Sequence, residues 1–361
     1  MMNLPFFDGL LSETFRIAGT DNLLISPYSV YSLAALLLEG ADGKSRAELE
    51  AALNETDCAA ALSELRACLR DGGEAEFHDA NALIARADRE CFVLDSYRSR
   101  IAEGYEAEVF SAGDVVGAVN DWTGEKTLGM IPRLLDNGPA PDLCLLNAIA
   151  FVGKWSRAYQ PDDVNEDGVF TDVEGQQQSV PMLHSTERAW LHGAGLIGFA
   201  KPYRGEKYDF VAVLPEDEAA PLSSVFPSLT VWKELYQTAE NVKTEVIQPE
   251  FSFDFALEMN AVFQALGIRS VFSPAEADLS RMTPVPGSYV ERILHKTHIE
   301  NDRVGTKAAA VTAAMVRLGC IPHFEETRFV TLDRPFAFAV FHRETATPLF
   351  VGVVNRIDQK R

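Results

Sequence analysis

Leu143-Cys144-Leu145-Leu146-Asn147-Ala148-Ile149-Ala150-Phe151-Val152-Gly153-Lys154-Trp155 opens with ten residues of which only Asn147 is polar. A near-continuous apolar run of this length fits a strand buried on both faces. Upstream of it, helical signals prevail. Phe6, Leu10, Leu11 and Phe15 recur at helical spacing. Ser26 can cap a helix and Pro27 suits its first position, while residues 30–38 are apolar on nearly all sides. That pattern predicts a buried helix ended by Gly40. Ser45-Arg46-Ala47-Glu48 reads as a capping box opening another helix, and residues 120–127 and 130–135 also read as helical. Downstream, residues 208–214, 242–247, 336–341 and 349–354 read as strands, with one helix over 256–266 ended by Gly267. Helices early and strands late predict an α+β fold with large sheets.

The chain has 361 residues, 47% of them hydrophobic, enough for a large core. Its net charge of −21 disfavours nucleic acid and anionic lipid as partners. No stretch approaches the roughly 18 apolar residues of a membrane span. Met1-Met2-Asn3-Leu4-Pro5 lacks a basic region followed by an apolar run. The chain as it stands therefore fits the cytoplasm, and a leader already removed would make it secreted. Cys58, Cys68, Cys91, Cys144 and Cys320 are odd in number and dispersed, which suggests neither a disulfide framework nor a zinc site. No metal or cofactor is expected. A Cys/His protease is disfavoured because no cysteine lies in a nucleophile motif.

Several segments, in order along nearly the whole chain, resemble serpin motifs. They include residues 22–29 (Asn-Leu-Leu-Ile-Ser-Pro-Tyr-Ser), Asn120-Asp121-Trp122, Gly129-Met130-Ile131-Pro132 and residues 146–155 of the opening stretch. Val180-Pro181-Met182-Leu183, Pro202-Tyr203, Leu266-Gly267-Ile268, Phe272-Ser273 and His295-Lys296 follow. Residues 305–314 (Gly-Thr-Lys-Ala-Ala-Ala-Val-Thr-Ala-Ala), Arg334-Pro335-Phe336 and Leu349-Phe350-Val351-Gly352 complete the set. The resemblance implies one domain over 1–361, with three β-sheets, eight or nine helices and an exposed reactive-centre loop at about 303–328. It implies no enzyme activity. Such a protein inhibits a serine protease, or a cysteine protease, as a suicide substrate. The protease forms an acyl-enzyme on the loop, and the cut loop inserts into the central sheet.

The hinge corresponds to Gly305, Thr306, Lys307, Ala308, Ala309, Ala310, Val311, Thr312, Ala313 and Ala314. By propensity this Ala-rich run is a helix. Its alternation argues otherwise: Thr306, Ala308, Ala310, Thr312 and Ala314 share one side of an extended chain, all small and uncharged, while Lys307 lies on the other. Such a strand can slip between two neighbours without burying a charge or forcing in a large side chain. One departure stands out: inhibitory members usually carry glutamate where this chain has Arg303.

Ser26, Ser29, Asn147 and His295 correspond to the family's hydrogen-bonding cluster beneath the point where the sheet opens, and Trp155 to the aromatic where the loop first enters. Family spacing from Gly305 puts the scissile bond at Gly319–Cys320, which suits elastase-like enzymes; the alternatives are a cut after Leu318, for chymotrypsin-, subtilisin- or elastase-like enzymes with an apolar pocket, or after Arg317, for trypsin-like ones. Cys320 is either an incidental thiol or a redox-sensitive neighbour of the cut. Residues 60–72 hold Glu64, Arg66, Arg70 and Asp71 rather than a basic cluster, so no heparin site is expected. A monomer is expected. The competing reading is a non-inhibitory member acting as carrier, chaperone or storage protein, although no large, acidic or proline residue interrupts residues 305–314.

Overall fold

The computed structural model describes all residues except 1–3, 56, 71–72, 137, 225, 227, 307–325 and 358–361. Among the described residues there are eight α-helices: α1 (Leu4–Ala18), α2 (Pro27–Gly40), α3 (Gly43–Leu53), α4 (Cys58–Arg70), α5 (Asp95–Tyr105), α6 (Val115–Lys126), α7 (Leu229–Gln237) and α8 (Asn260–Ala265). The strands of the first half are β1 (Leu23–Ile25), β2 (Glu76–Arg86), β3 (Glu108–Ala112), β4 (Leu143–Lys154), β5 (Val164–Thr171) and β6 (Gln177–Gly193). Those of the second half are β7 (Leu196–Pro202), β8 (Tyr208–Pro215), β9 (Glu240–Pro249), β10 (Phe251–Glu258), β11 (Leu294–Asn301), β12 (Gly305–Thr306), β13 (Thr327–Thr331), β14 (Phe336–His342) and β15 (Thr347–Val354).

One sheet has six strands in the order β10-β11-β12-β4-β2-β3. The other has nine, in the order β1-β15-β14-β8-β7-β6-β9-β13, with β5 also on β6. The three sheets implied by the resemblance thus run together into two hydrogen-bonded networks. The cause is β6, whose 17 residues pair with β5 and β9 along most of their length and with β7 at Ala189–Gly193.

The six-stranded sheet is covered on both sides, as the apolar run of β4 requires. Leu146 and Ala148 pack with Val115, Val119 and Trp122 of α6. Ile149 and Phe151 face the main core, which also holds the buried face of α2. Ser26 caps α2 by accepting from the Ser29 amide, and Pro27 occupies the first turn. Edge-to-face contacts such as Phe251–Phe336, 5.8 Å between centroids, join the two sheets.

Three local readings are corrected. Ser45 does not open a helix: α3 begins at Gly43 behind Asp42, whose carboxylate accepts from the Gly43 amide. Ser45 and Glu48 instead serve the segment beyond α8, Ser45 Oγ accepting from the Asp278 amide and Glu48 from the amides of Arg269 and Ser270. Residues 130–135 are not helical. Pro132 interrupts them, and the Asn120 amide accepts from the backbone of Leu134 and Leu135 and donates to Leu135 O. Residues 256–258 belong to β10, and the helix is only Asn260–Ala265. Gly267 does follow it, at φ +93°.

Candidate functional site

Between β11 and β4 lies β12, only two residues long, with Thr306 opposite Asn301 and Gly153 and with Gly305 opposite Lys154. A Cβ on Gly305 would fall 2.1 Å from Gly153 O and 2.7 Å from Lys154 Cα, so any side chain there would push β12 off β4. The preceding turn is tied by Asp302, whose carboxylate accepts from the amides of Val304 (2.7 Å) and Gly305 (3.0 Å). Burial pushes that carboxyl's pKa up, and the two amides oppose the shift. Trp155 clamps the same turn, donating from Nε1 to Asp302 O (2.8 Å) and from its backbone to Val304 O (3.0 Å). Its ring stacks on Tyr203 at 4.7 Å, and the Tyr203 and Thr306 hydroxyls are bonded at 2.6 Å. Thr306 therefore points inward, 5% exposed. Beside Trp155, Lys201 is buried in an ion pair with Glu187 (2.6 Å) and lies 4.6 Å from the Tyr159 ring centre.

Arg303 stands at this turn. Its guanidinium holds both oxygens of Glu250 (2.9 and 3.0 Å) and reaches Glu166 at 3.1 Å. Its backbone amide also donates to Glu250, and its carbonyl accepts from Tyr159 N. The basic residue thus has acidic partners on two other segments. Hydrogen bonds to those carboxylates hold the guanidinium pKa above its ordinary value.

Below Thr306, no residue of β4 pairs with one of β11 among the described residues. A cavity of about 30 Å³ lies there, lined in part by Ser29, Asn147, Met259, His295 and Lys296. His295 Nε2 accepts from the Ser26 amide at 3.1 Å. Thr297, also on β11, donates its hydroxyl to Leu24 O at 2.7 Å. Burial lowers the His295 pKa to about 4, so the ring is neutral near pH 7. Asn147 borders the same cavity, yet its hydrogen bonds run elsewhere: Nδ2 donates to Asp79 Oδ1 and to Asn81 Oδ1, each at 2.9 Å. Asp79 in turn accepts from the Tyr28 hydroxyl (2.7 Å) and Arg66 Nε (2.8 Å).

Sequence reasoning missed Asp79, Asn81, Tyr28 and Arg66. The signal was there in β2, where Asp79 and Asn81 alternate onto the same face as Phe77, Leu83 and Ala85. Lys307, Ala308, Ala309, Ala310, Val311, Thr312, Ala313 and Ala314, together with Arg317, Leu318, Gly319 and Cys320, lie outside the described residues. The described ends of that segment are anchored in different sheets, β12 in the six-stranded one and β13 in the nine-stranded one.

The family model described as Serpin (serine protease inhibitor) matches residues 6–357. The chain is a serpin. Glia-derived nexin of Mus musculus is 28% identical over 368 residues, covering 96% of this chain and 90% of its own length. Leukocyte elastase inhibitor A of Mus musculus is 27% identical, with 93% of each chain covered. The crystal structure of a thermophilic serpin, tengpin, in the native state superposes with a TM-score of 0.86 at 29% identity, covering 98% of this chain and 93% of that one. Serpins are protease inhibitors rather than enzymes, and relatives of this one are named as inhibitors.

Two predictions follow from this geometry. The His295 pKa of about 4 lies below the unfolded value near 6.5, so unfolding takes up a proton in that window. Stability should be flat above about pH 6.5 and fall toward pH 4, by about 3 kcal/mol in all. Urea unfolding of the wild type and of His295→Gln at several pH values checks this, and the variant should lose most of the slope. Arg303→Glu would set a third carboxylate against Glu250 and Glu166. It should loosen the 302–305 turn, by about 1 kcal/mol for a partly exposed network. Glu250→Arg in the same chain should restore most of that loss, measured as thermal midpoint at low and high salt.

Proposed function

We propose that this serpin inhibits a serine protease as a suicide substrate, through cleavage of a reactive loop at about 303–328 and insertion of that loop as a new strand. The observation that carries the reading is β12, the beginning of a strand seated between β4 and β11 with no β4–β11 pairing beneath it among the described residues. Continuing its register would set Ala308 between Phe151 and Ile299, Ala310 between Ile149 and Thr297, and Thr312 between Asn147 and His295. Those β11 residues are buried, as are Phe151 and Ile149. Only small inward side chains suit such a slot, and this chain offers Ala, Ala and Thr. Lys307 would fall on the opposite side, next to Val152.

Insertion would carry an acyl-linked protease the length of β4 before water releases it. The serpin contributes a peptide bond and a conformational change, and no catalytic group. In our reading the scissile bond is Gly319–Cys320, and the target is an elastase- or subtilisin-like protease that accepts a small or apolar residue. Leu318 and Arg317 are the neighbouring registers. The chain acts as one domain and as a monomer, without a cofactor.

Incubation with elastase-, subtilisin- and trypsin-like enzymes, followed by denaturing electrophoresis, is the direct test. An SDS-stable complex is expected, releasing on denaturation a C-terminal peptide that begins at Cys320. Clean turnover by every enzyme would mean a substrate or a carrier. Thr306→Arg places a charge against Tyr203 on the inward face and should convert inhibitor to substrate. Unchanged complex formation in that variant would falsify the inward facing of the loop.

A further inference from the structure

The two halves of the six-stranded sheet are fastened separately to the elements beneath them. On the β10–β11 side the fasteners are neutral: His295 to the Ser26 amide and Thr297 to Leu24 O. On the β2–β4 side there is a charge. The Asp79 side chain is fully buried, and Arg66 beside it is only 3% exposed. Asp79 Oδ2 takes Tyr28 of α2 and Arg66 of α4, while Oδ1 takes Asn147 of β4. One carboxylate therefore joins two helices to two strands.

The strands themselves do not require this bond, because β2 and β4 already pair at ten positions from Glu76–Val152 to Ala85–Leu143. What it fixes is the position of that pair over α2 and α4. It also fixes the Asn147 amide. A carboxylate can only accept, so it demands the Asn147 NH₂ group. Asn81 is held as a second acceptor because its own Nδ2 donates to Tyr105 O at 2.9 Å. Asn147 Oδ1 is the atom left without a hydrogen-bond partner among the described residues, in a side chain bordering the cavity between β4 and β11.

We infer that Asp79, with Arg66 as its counterion, is a positioning residue that latches the β2–β4 half of the sheet to α2 and α4 and so limits how readily the slot between β4 and β11 widens. To widen it, β2 and β4 must slide over the two helices, which breaks the Tyr28 and Arg66 bonds to a buried carboxylate. Such charge-assisted bonds are costly to leave unmade. This inference rests on the loop-insertion reading above.

The test uses the full chain. Removing one charge alone strands the other, so the informative variant pairs Asp79→Leu with Arg66→Met and also carries Tyr28→Phe, which removes the hydroxyl that Asp79 would leave unpaired; Tyr28→Phe alone is a milder second one. Warming converts an insertion-competent protein to a form whose loop no longer yields to protease, and the rate of that conversion is measured beside the thermal midpoint. The paired variant should convert about tenfold faster or more with a midpoint close to that of the wild type. Tyr28→Phe should convert a few-fold faster. A purely structural role would change rate and midpoint together, and that outcome, or wild-type rates in folded variants, overturns the latch. If loop cleavage gives the wild type itself no added heat resistance, the insertion reading fails and the latch with it. Added resistance together with unchanged variant rates overturns the latch alone.

Discussion

The backbone of Gly305 lies so close to Gly153 and Lys154 that only a hydrogen fits between them. That approach seats β12 between β4 and β11 and sets the register of any strand continuing from it. The surrounding groups are arranged to keep it there. Asp302 ties the turn from within, Trp155 holds two of its carbonyls, and Arg303 fastens it sideways to Glu250 and Glu166. A side chain at position 305 would disturb all of these at once, because each depends on the same few ångströms of separation.

Beneath this point the molecule departs from the usual economy of a protein core. Arg66–Asp79 and Lys201–Glu187 are nearly buried ion pairs. Pairs of this kind add little net stability over apolar packing of equal volume. Their directional bonds do fix geometry, and both sit where geometry bears on the sheet: one under β2, bonded to Asn147 of β4, the other beside Trp155. Apolar contacts would let neighbouring layers slide in small steps. A hydrogen-bonded carboxylate gives way only when its bonds break.

Much of this was legible in the sequence. The apolar run of β4, the Ser26–Pro27 start of α2 and the strand patterns of β8, β9, β14 and β15 each appear where their residues imply. Two of the three errors share a cause. Ser45, Glu48 and Asn120 carry the side chains that signal local caps and helices, but they spend them on segments distant in sequence, at 269–278 and 134–135. Local pattern cannot distinguish a residue capping its own helix from one serving another loop. The site divides in the same way. Ser26, Ser29, His295, Asn147 and Trp155 were indicated through motif resemblance. Asp79 and Arg66 stand 13 positions apart, and nothing in the sequence alone shows that their side chains meet under Asn147.

The nine-stranded sheet pairs early strands with late ones. Leu23, Leu24 and Ile25 pair with Val353, Gly352 and Val351, and β14 lies between β8 and β15 in the interior of the sheet. Strands β14 and β15 are therefore the ones that join β1 and β8, which are synthesised before them. On the ribosome residues up to 354 must emerge before that sheet can be assembled, leaving the apolar edges of β1 and β8 without their final neighbours until then. Truncation before residue 350 would remove most of β15 and leave β1 and β14 without the strand that joins them, so this architecture ties folding competence to residues 347–354.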